Sequence, residues 1–67
     1  MRTAIEVHIE YLGGQLEFHG YSVEEAVYDM LAWGIDDLQT LDIVECKGCN
    51  SELVWERLKK AVQFLYG

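Results

Sequence analysis

Residues 21–34 read YSVEEAVYDMLAWG, and this stretch predicts one short helix with both ends marked. Ser22 is placed to accept the backbone N–H of Glu25, and the Glu25 carboxylate to reach back to the Ser22 N–H, which makes a capping box. Gly34, directly after Trp33, supplies the left-handed conformation that closes a helix. Over about residues 22–33 the helical period puts Val23, Ala26, Val27, Met30 and Leu31 on one side. Glu24, Glu25, Tyr28, Asp29 and Ala32 point away, so an acidic surface with an aromatic ring in it faces outward.

Upstream, residues 3–12 alternate: Thr3, Ile5, Val7, Ile9 and Tyr11 on one face, Ala4, Glu6, His8, Glu10 and Leu12 on the other. That is the pattern of a half-buried strand. Gly13-Gly14 signals a two-residue hairpin turn, and residues 15–21 return as a second strand with Leu16 and Phe18 inward. This turn sets Tyr11 opposite Leu16, Glu10 opposite Glu17, Ile9 opposite Phe18 and His8 opposite His19. Two facing glutamates cost stability, and a locally unfavourable choice is where function is worth seeking.

Downstream, Ile35-Asp36-Asp37-Leu38 reads as a turn held by two apolar anchors, and residues 39–46 as a third strand. Leu41 and Ile43 share one phase while Val44 and Cys46 take the other, so a bulge or a strand covered on both sides is expected. Right-handed crossover geometry sets the third strand parallel to the second and beside the first, in order 2-1-3. Asn50 or Ser51 caps a second helix over about 51–66, whose apolar residues span an arc of roughly 220°. That arc exceeds what one small sheet covers, and a homodimer through this C-terminal helix is the simpler expectation. The chain, residues 1–67, is thus expected to be a single α+β domain of order β-β-α-β-α, with a three-stranded, mostly antiparallel sheet and helices packed on it.

Sixty-seven residues lie near the lower limit for a chain that folds alone. Half of them are hydrophobic and proline is absent, which argues against disorder. No apolar run approaches the ~20 residues of a bilayer span, and no basic region precedes an apolar stretch at the N-terminus, so a soluble, intracellular protein is expected. Between Thr3 and Cys46 the charged residues are Glu6, Glu10, Glu17, Glu24, Glu25, Asp29, Asp36, Asp37, Asp42 and Glu45, with no lysine or arginine; the formal net charge is -7. Such a field repels nucleic acid and anionic membranes and attracts basic protein surfaces. Acidic residues also simply keep small proteins in solution.

Glu10, Glu17, His8 and His19 admit two readings on the outer side of the hairpin: a metal site of two histidines and one or two glutamates, or a solvated, partner-contacting surface. A flat exposed face seldom supplies the convergence that zinc needs, which favours the surface. Cys46 and Cys49 form a single Cys-x-x-Cys pair; a closed zinc site would require His8 and His19 to reach the end of the third strand. Two inert thiols are the simpler outcome. No nucleophile, base and orienting acid stand in suggestive positions, and Ser22 and Ser51 are explained as caps. The chain reads as a non-enzyme without cofactor. Tyr28 among Glu24, Glu25 and Asp29, with Trp33 at the flank and Glu10 and Glu17 on the hairpin, makes the candidate partner-binding set. Trp33 alternatively closes the edge of the core.

Glu17-Phe18-His19, then Ser22 and Val23 with an acidic first turn, then Asp36-Asp37-Leu38 leading into Leu41-Asp42-Ile43, carry a family likeness. From about Ile5 to Glu45 the chain resembles the very small acidic uracil-DNA glycosylase inhibitors of Bacillus phages, dimeric DNA mimics that occupy the enzyme's DNA-binding groove. The resemblance implies an inhibitor whose partner is the basic surface of a DNA-binding protein, acting in the cytoplasm of a bacterial host cell and encoded by a phage or prophage. The helix here is about one turn longer than in that family, so Tyr28 and Glu25 are candidates by environment and not by alignment. The C-terminal helix has no counterpart there, which leaves the mode of dimerisation open. A second class of function is a homodimeric interaction module, antitoxin-like or directed at a phage-defence protein, that does not mimic DNA; a third is metal binding by His8, His19, Cys46 and Cys49.

Overall fold

The alternation in the first ten residues produces a strand because a pleated chain sends successive side chains to opposite faces. In the computed structural model, which describes residues 3–67, that strand is β1 (Ile5–Tyr11). β2 (Gly14–Gly20), helix α1 (Val23–Trp33), a 3-10 turn (Leu38–Thr40), β3 (Leu41–Lys47) and helix α2 (Ser51–Tyr66) follow. Met1 and Arg2, which the single-domain reading includes, lie outside the described residues. The sheet has the order β2-β1-β3, with β1 antiparallel to both neighbours, as the crossover argument requires. Ile5, Val7, Ile9 and Tyr11 of β1 and Phe18 of β2 are buried against Ala26, Val27 and Met30 of α1, Ile35, Leu41, and Val54 and Leu58 of α2. No helix among the described residues is long and apolar enough to cross a membrane.

The hairpin turn lies one residue earlier than Gly13-Gly14. Leu12 and Gly13 are its central residues, with φ of 52° and 80°, and Gly14 already pairs with Tyr11. Positive φ at both positions matches the twist of the flanking strands, although a leucine there costs roughly 1–2 kcal/mol. The register therefore moves by two residues: His8 faces Glu17, Glu6 faces His19, Glu10 faces Gln15 and Ile9 faces Leu16. A shift of two leaves every side chain on its expected face, but it replaces the expected Glu10–Glu17 and His8–His19 pairs with carboxylate–imidazole pairs. Complementary pairing across the strands offsets the strained leucine.

α1 has the expected caps, with one difference. Ser22 Oγ accepts the Glu25 N–H at 3.2 Å, whereas Glu25 Oε1 accepts the N–H of Tyr21 at 2.9 Å and not that of Ser22. Gly34, at φ 112°, closes the helix. Gly20 lets α1 approach β2 closely: a Cβ there would stand 2.8 Å from the Ala26 nitrogen. β3 contains the bulge, since Glu45 pairs with His8 and Ile43 with Ile9, leaving Val44 extra and exposed. The bulge resets the phase and turns Cys46 inward, opposite Val7.

The turn between α1 and β3 is fastened by a group with no local signature. The Tyr11 hydroxyl donates to Asp36 Oδ1 at 3.1 Å and accepts the N–H groups of Asp36 and Asp37 at 3.2 Å each. One donor and two acceptor sites are then all used. Asp37 Oδ1 in turn accepts the Gln39 N–H and starts the 3-10 turn.

Candidate functional site

Both helices pack on the side of the sheet that carries Val7 and Ile9, so the other side is left without a helical layer. The registers arrange that outer side as three rows across β2, β1 and β3: His19–Glu6–Lys47, Glu17–His8–Glu45 and Gln15–Glu10–Asp42. Among the described residues this face presents the carboxylates of Glu6, Glu10, Glu17, Asp42 and Glu45 against the single ammonium of Lys47. Glu10 and Asp42 stand directly opposite each other. The like-charge pair expected within the hairpin thus occurs on the other flank of β1, where it costs stability in the same way. Beside it, His8, Gln15, Glu17, Val44 and Glu45 border a shallow hollow of about 330 Å³.

The upper two rows form a tight cluster. His8 Nε2 lies 3.0 Å from Glu17 Oε1 and 3.8 Å from Glu6 Oε1, and His19 Nε2 lies 3.0 Å from Glu17 Oε2. The hydrogen bond with His19, with the charges of His8 and His19 behind it, outweighs slight desolvation and lowers the Glu17 carboxyl below its ordinary value. His8 Nε2 is shut off from solvent and has no hydrogen-bond partner, because its approach to Glu17 lacks the alignment of a bond.

The expected partner-binding set divides between two sides of the molecule. Glu10 and Glu17 belong to the outer sheet face, while Glu24, Glu25, Tyr28, Asp29 and Trp33 lie on α1 in the opposite layer. The helical side is of mixed charge: Glu24 Oε1 meets Arg57 Nη1 of α2 at 2.7 Å, and Glu25 is engaged in the cap. Tyr28 is 77% exposed. It borders a largely apolar groove of about 450 Å³ between α1 and α2, with Leu31, Ala61 and Phe64 in its wall and Lys60 at its rim. Trp33 meets the ring of Tyr11 edge-on, centroids 6.2 Å apart, which closes the edge of the core.

The metal set His8, His19, Cys46 and Cys49 is not brought together. The histidines project from the outer face, whereas Cys46 and Cys49 pack against the core. The two thiols are neighbours, and burial first, then the bond to Cys49, pushes the Cys46 thiol up to about 11. Beyond the sheet and the groove, the last turns of α2 leave Phe64, Leu65 and Tyr66 exposed, with Phe64 at 88%. Sequence reasoning placed Glu17 with the two histidines but took Glu10 as the second carboxylate; the member it missed is Glu6, which faces His19 while Glu10 faces Gln15. Its signal was present, since only the register adopted gives Glu6 and Glu17 each an imidazole opposite. Comparison with known proteins returns no match: no family model fits the chain, and no curated protein or solved structure is significantly similar to it.

Proposed function

We propose that this protein is a small acidic inhibitor that mimics DNA and binds the cationic groove of a DNA-processing enzyme, with uracil-DNA glycosylase the first enzyme to test. The observation that carries the reading is the uncovered sheet face, on which Glu10 stands opposite Asp42 with Glu45 on the next row. Carboxylates two residues apart on a strand repeat at roughly 6.6–6.8 Å and the strands at roughly 4.8 Å, so the face is a dense array of fixed negative charge. A groove lined with lysine and arginine attracts such an array for the reason it attracts phosphates. A rigid sheet also holds its charges without the ordering cost a flexible acidic tail would pay.

The test is titration of the pure protein into a panel of DNA-dependent enzymes at two salt concentrations. Inhibition is expected to weaken as salt rises, and to be lost in the triple variant Glu10→Gln, Asp42→Asn, Glu45→Gln while surviving Glu24→Gln with Asp29→Asn. Unchanged activity across the panel, or inhibition indifferent to the triple variant, refutes the proposal.

A second reading is favoured by the exposure of Phe64, Leu65 and Tyr66: a homodimeric interaction module joined through α2. Dimerisation is compatible with the inhibitor, but a module of this kind does not need the acidic face. Sedimentation and partner binding measured together on the parent and on Phe64→Ser separate the two: the module predicts that the substitution abolishes the dimer and partner binding alike, whereas the inhibitor keeps its inhibition when the dimer is lost.

A further inference from the structure

We propose that Glu6, Glu17 and His19, with His8 as fourth donor, form a binding site for a divalent transition-metal ion of the zinc class on the outer face of the β1–β2 hairpin. This does not rest on the inhibitor reading and uses none of the residues in its triple variant. One ligand atom from each of Glu6, Glu17 and His19 already lies within 4.8 Å of the others. Ligand atoms about 2.0–2.2 Å from a shared ion need little movement from such a starting point. The arrangement follows from the fold. Glu6 and His8 are two apart on β1, Glu17 and His19 two apart on β2, and each imidazole faces a carboxylate across the ladder.

An independent observation points to a ligand. The His8 side chain is 31% exposed, but its Nε2 atom is covered and makes no aligned hydrogen bond while lying 3.0 Å from Glu17 Oε1 and 3.8 Å from Glu6 Oε1. A nitrogen withdrawn from water ordinarily has a partner, and an ion shared with Glu6 and Glu17 would provide one. Two imidazoles and two carboxylates suit zinc, cobalt or manganese, whereas magnesium and calcium prefer all-oxygen sites. Binding needs both rings neutral and metal-bound through Nε2, so the ion displaces protons from the Nε2 positions and replaces the His19–Glu17 hydrogen bond.

The experiment uses the full chain, reduced and stripped of metal, titrated with Zn²⁺ alone and with Co²⁺ alone, and followed by calorimetry and by the imidazole ¹⁵N resonances. One equivalent of Zn²⁺ is expected to shift the Nε2 resonances of His8 and His19. His19→Ala and Glu17→Gln should each weaken binding about tenfold or more, and Cys46→Ser with Cys49→Ser should leave it unchanged. Both single substitutions are at exposed positions, and the isosteric Glu17→Gln preserves the strand. No saturable uptake at millimolar Zn²⁺ overturns the proposal, and so does uptake that survives His19→Ala and disappears with the cysteines.

Discussion

Removing one oxygen atom, in Tyr11→Phe, tests how the loop before β3 is held. The hydroxyl makes three hydrogen bonds, one given to Asp36 Oδ1 and two taken from the N–H groups of Asp36 and Asp37. At ~0.5–1.5 kcal/mol each the three sum to roughly 1.5–4.5 kcal/mol. Asp36 and Asp37 are exposed, so water can reach part of what is lost and the lower half of that range applies, about 2 kcal/mol. For a domain of this size each kcal/mol moves the midpoint by roughly 4–8 °C, which predicts a fall in Tm of about 8–16 °C. Since such a domain holds only ~3–5 kcal/mol in total, the variant should remain folded near room temperature with a visibly larger unfolded fraction. Urea and thermal melts followed by circular dichroism measure the loss, and amide exchange at Asp36 and Asp37 should quicken with it. Asp36→Asn, which keeps the backbone N–H and an acceptor oxygen, should cost no more than about 0.5 kcal/mol. If Tyr11→Phe also stays within about 0.5 kcal/mol of the parent, the hydroxyl does not fasten the loop and the reasoning fails.

Leu12→Asn should raise stability by about 1 kcal/mol, read as a higher urea midpoint at constant m-value, because Asn-Gly suits two positive φ values where leucine is strained; a loss would mean that the turn is elsewhere. Gly20→Ala should cost ~1–3 kcal/mol, since its methyl meets the backbone nitrogen of Ala26 at 2.8 Å and α1 must shift to admit it. At pH 8 iodoacetamide should alkylate Cys46 about tenfold more slowly in the folded protein than in urea: a thiol raised from 9.0 to about 11 has roughly a hundredfold less thiolate, partly offset by greater nucleophilicity. The same shift predicts a stability contribution that is complete below pH 9 and declines as pH rises through 11, because the unfolded chain loses that proton first. Cys46→Ser should flatten the alkaline limb of the stability curve.

The α1 segment was legible because its signals are local: a serine cap, an acidic first turn, apolar residues at the helical period and a closing glycine all fall within fourteen residues. Alternation in β1 likewise identified the inward residues, and the broken phase at Val44 left two readings, a bulge or a strand covered on both sides, of which the bulge is the one adopted. The hairpin register was not legible from the glycines, because the turn is chosen by the whole ladder and accepts a strained Leu12. Weighing the pairs across the outer face would have favoured the register adopted, in which the hairpin sets no two acids opposite. The Tyr11 hydroxyl could be assigned a face but not its partners, which lie 25 and 26 residues away. For the same reason the candidate set of acids looked like one surface in sequence and occupies two sides in space. Helical period fixes the outward direction of Glu24 and Asp29, strand period that of Glu10 and Glu17, and only the layering of helix on sheet relates the two.

The irregularity at Val44 has a further consequence for how the protein behaves when concentrated. With the order β2-β1-β3, β3 is a border strand whose free main-chain groups could recruit a strand from another molecule. An extra residue halfway along breaks the even spacing that such recruitment needs and adds local twist. A neighbour could match only a few residues on either side of the interruption, so this border of a sheet with one bare face is guarded against strand-by-strand extension.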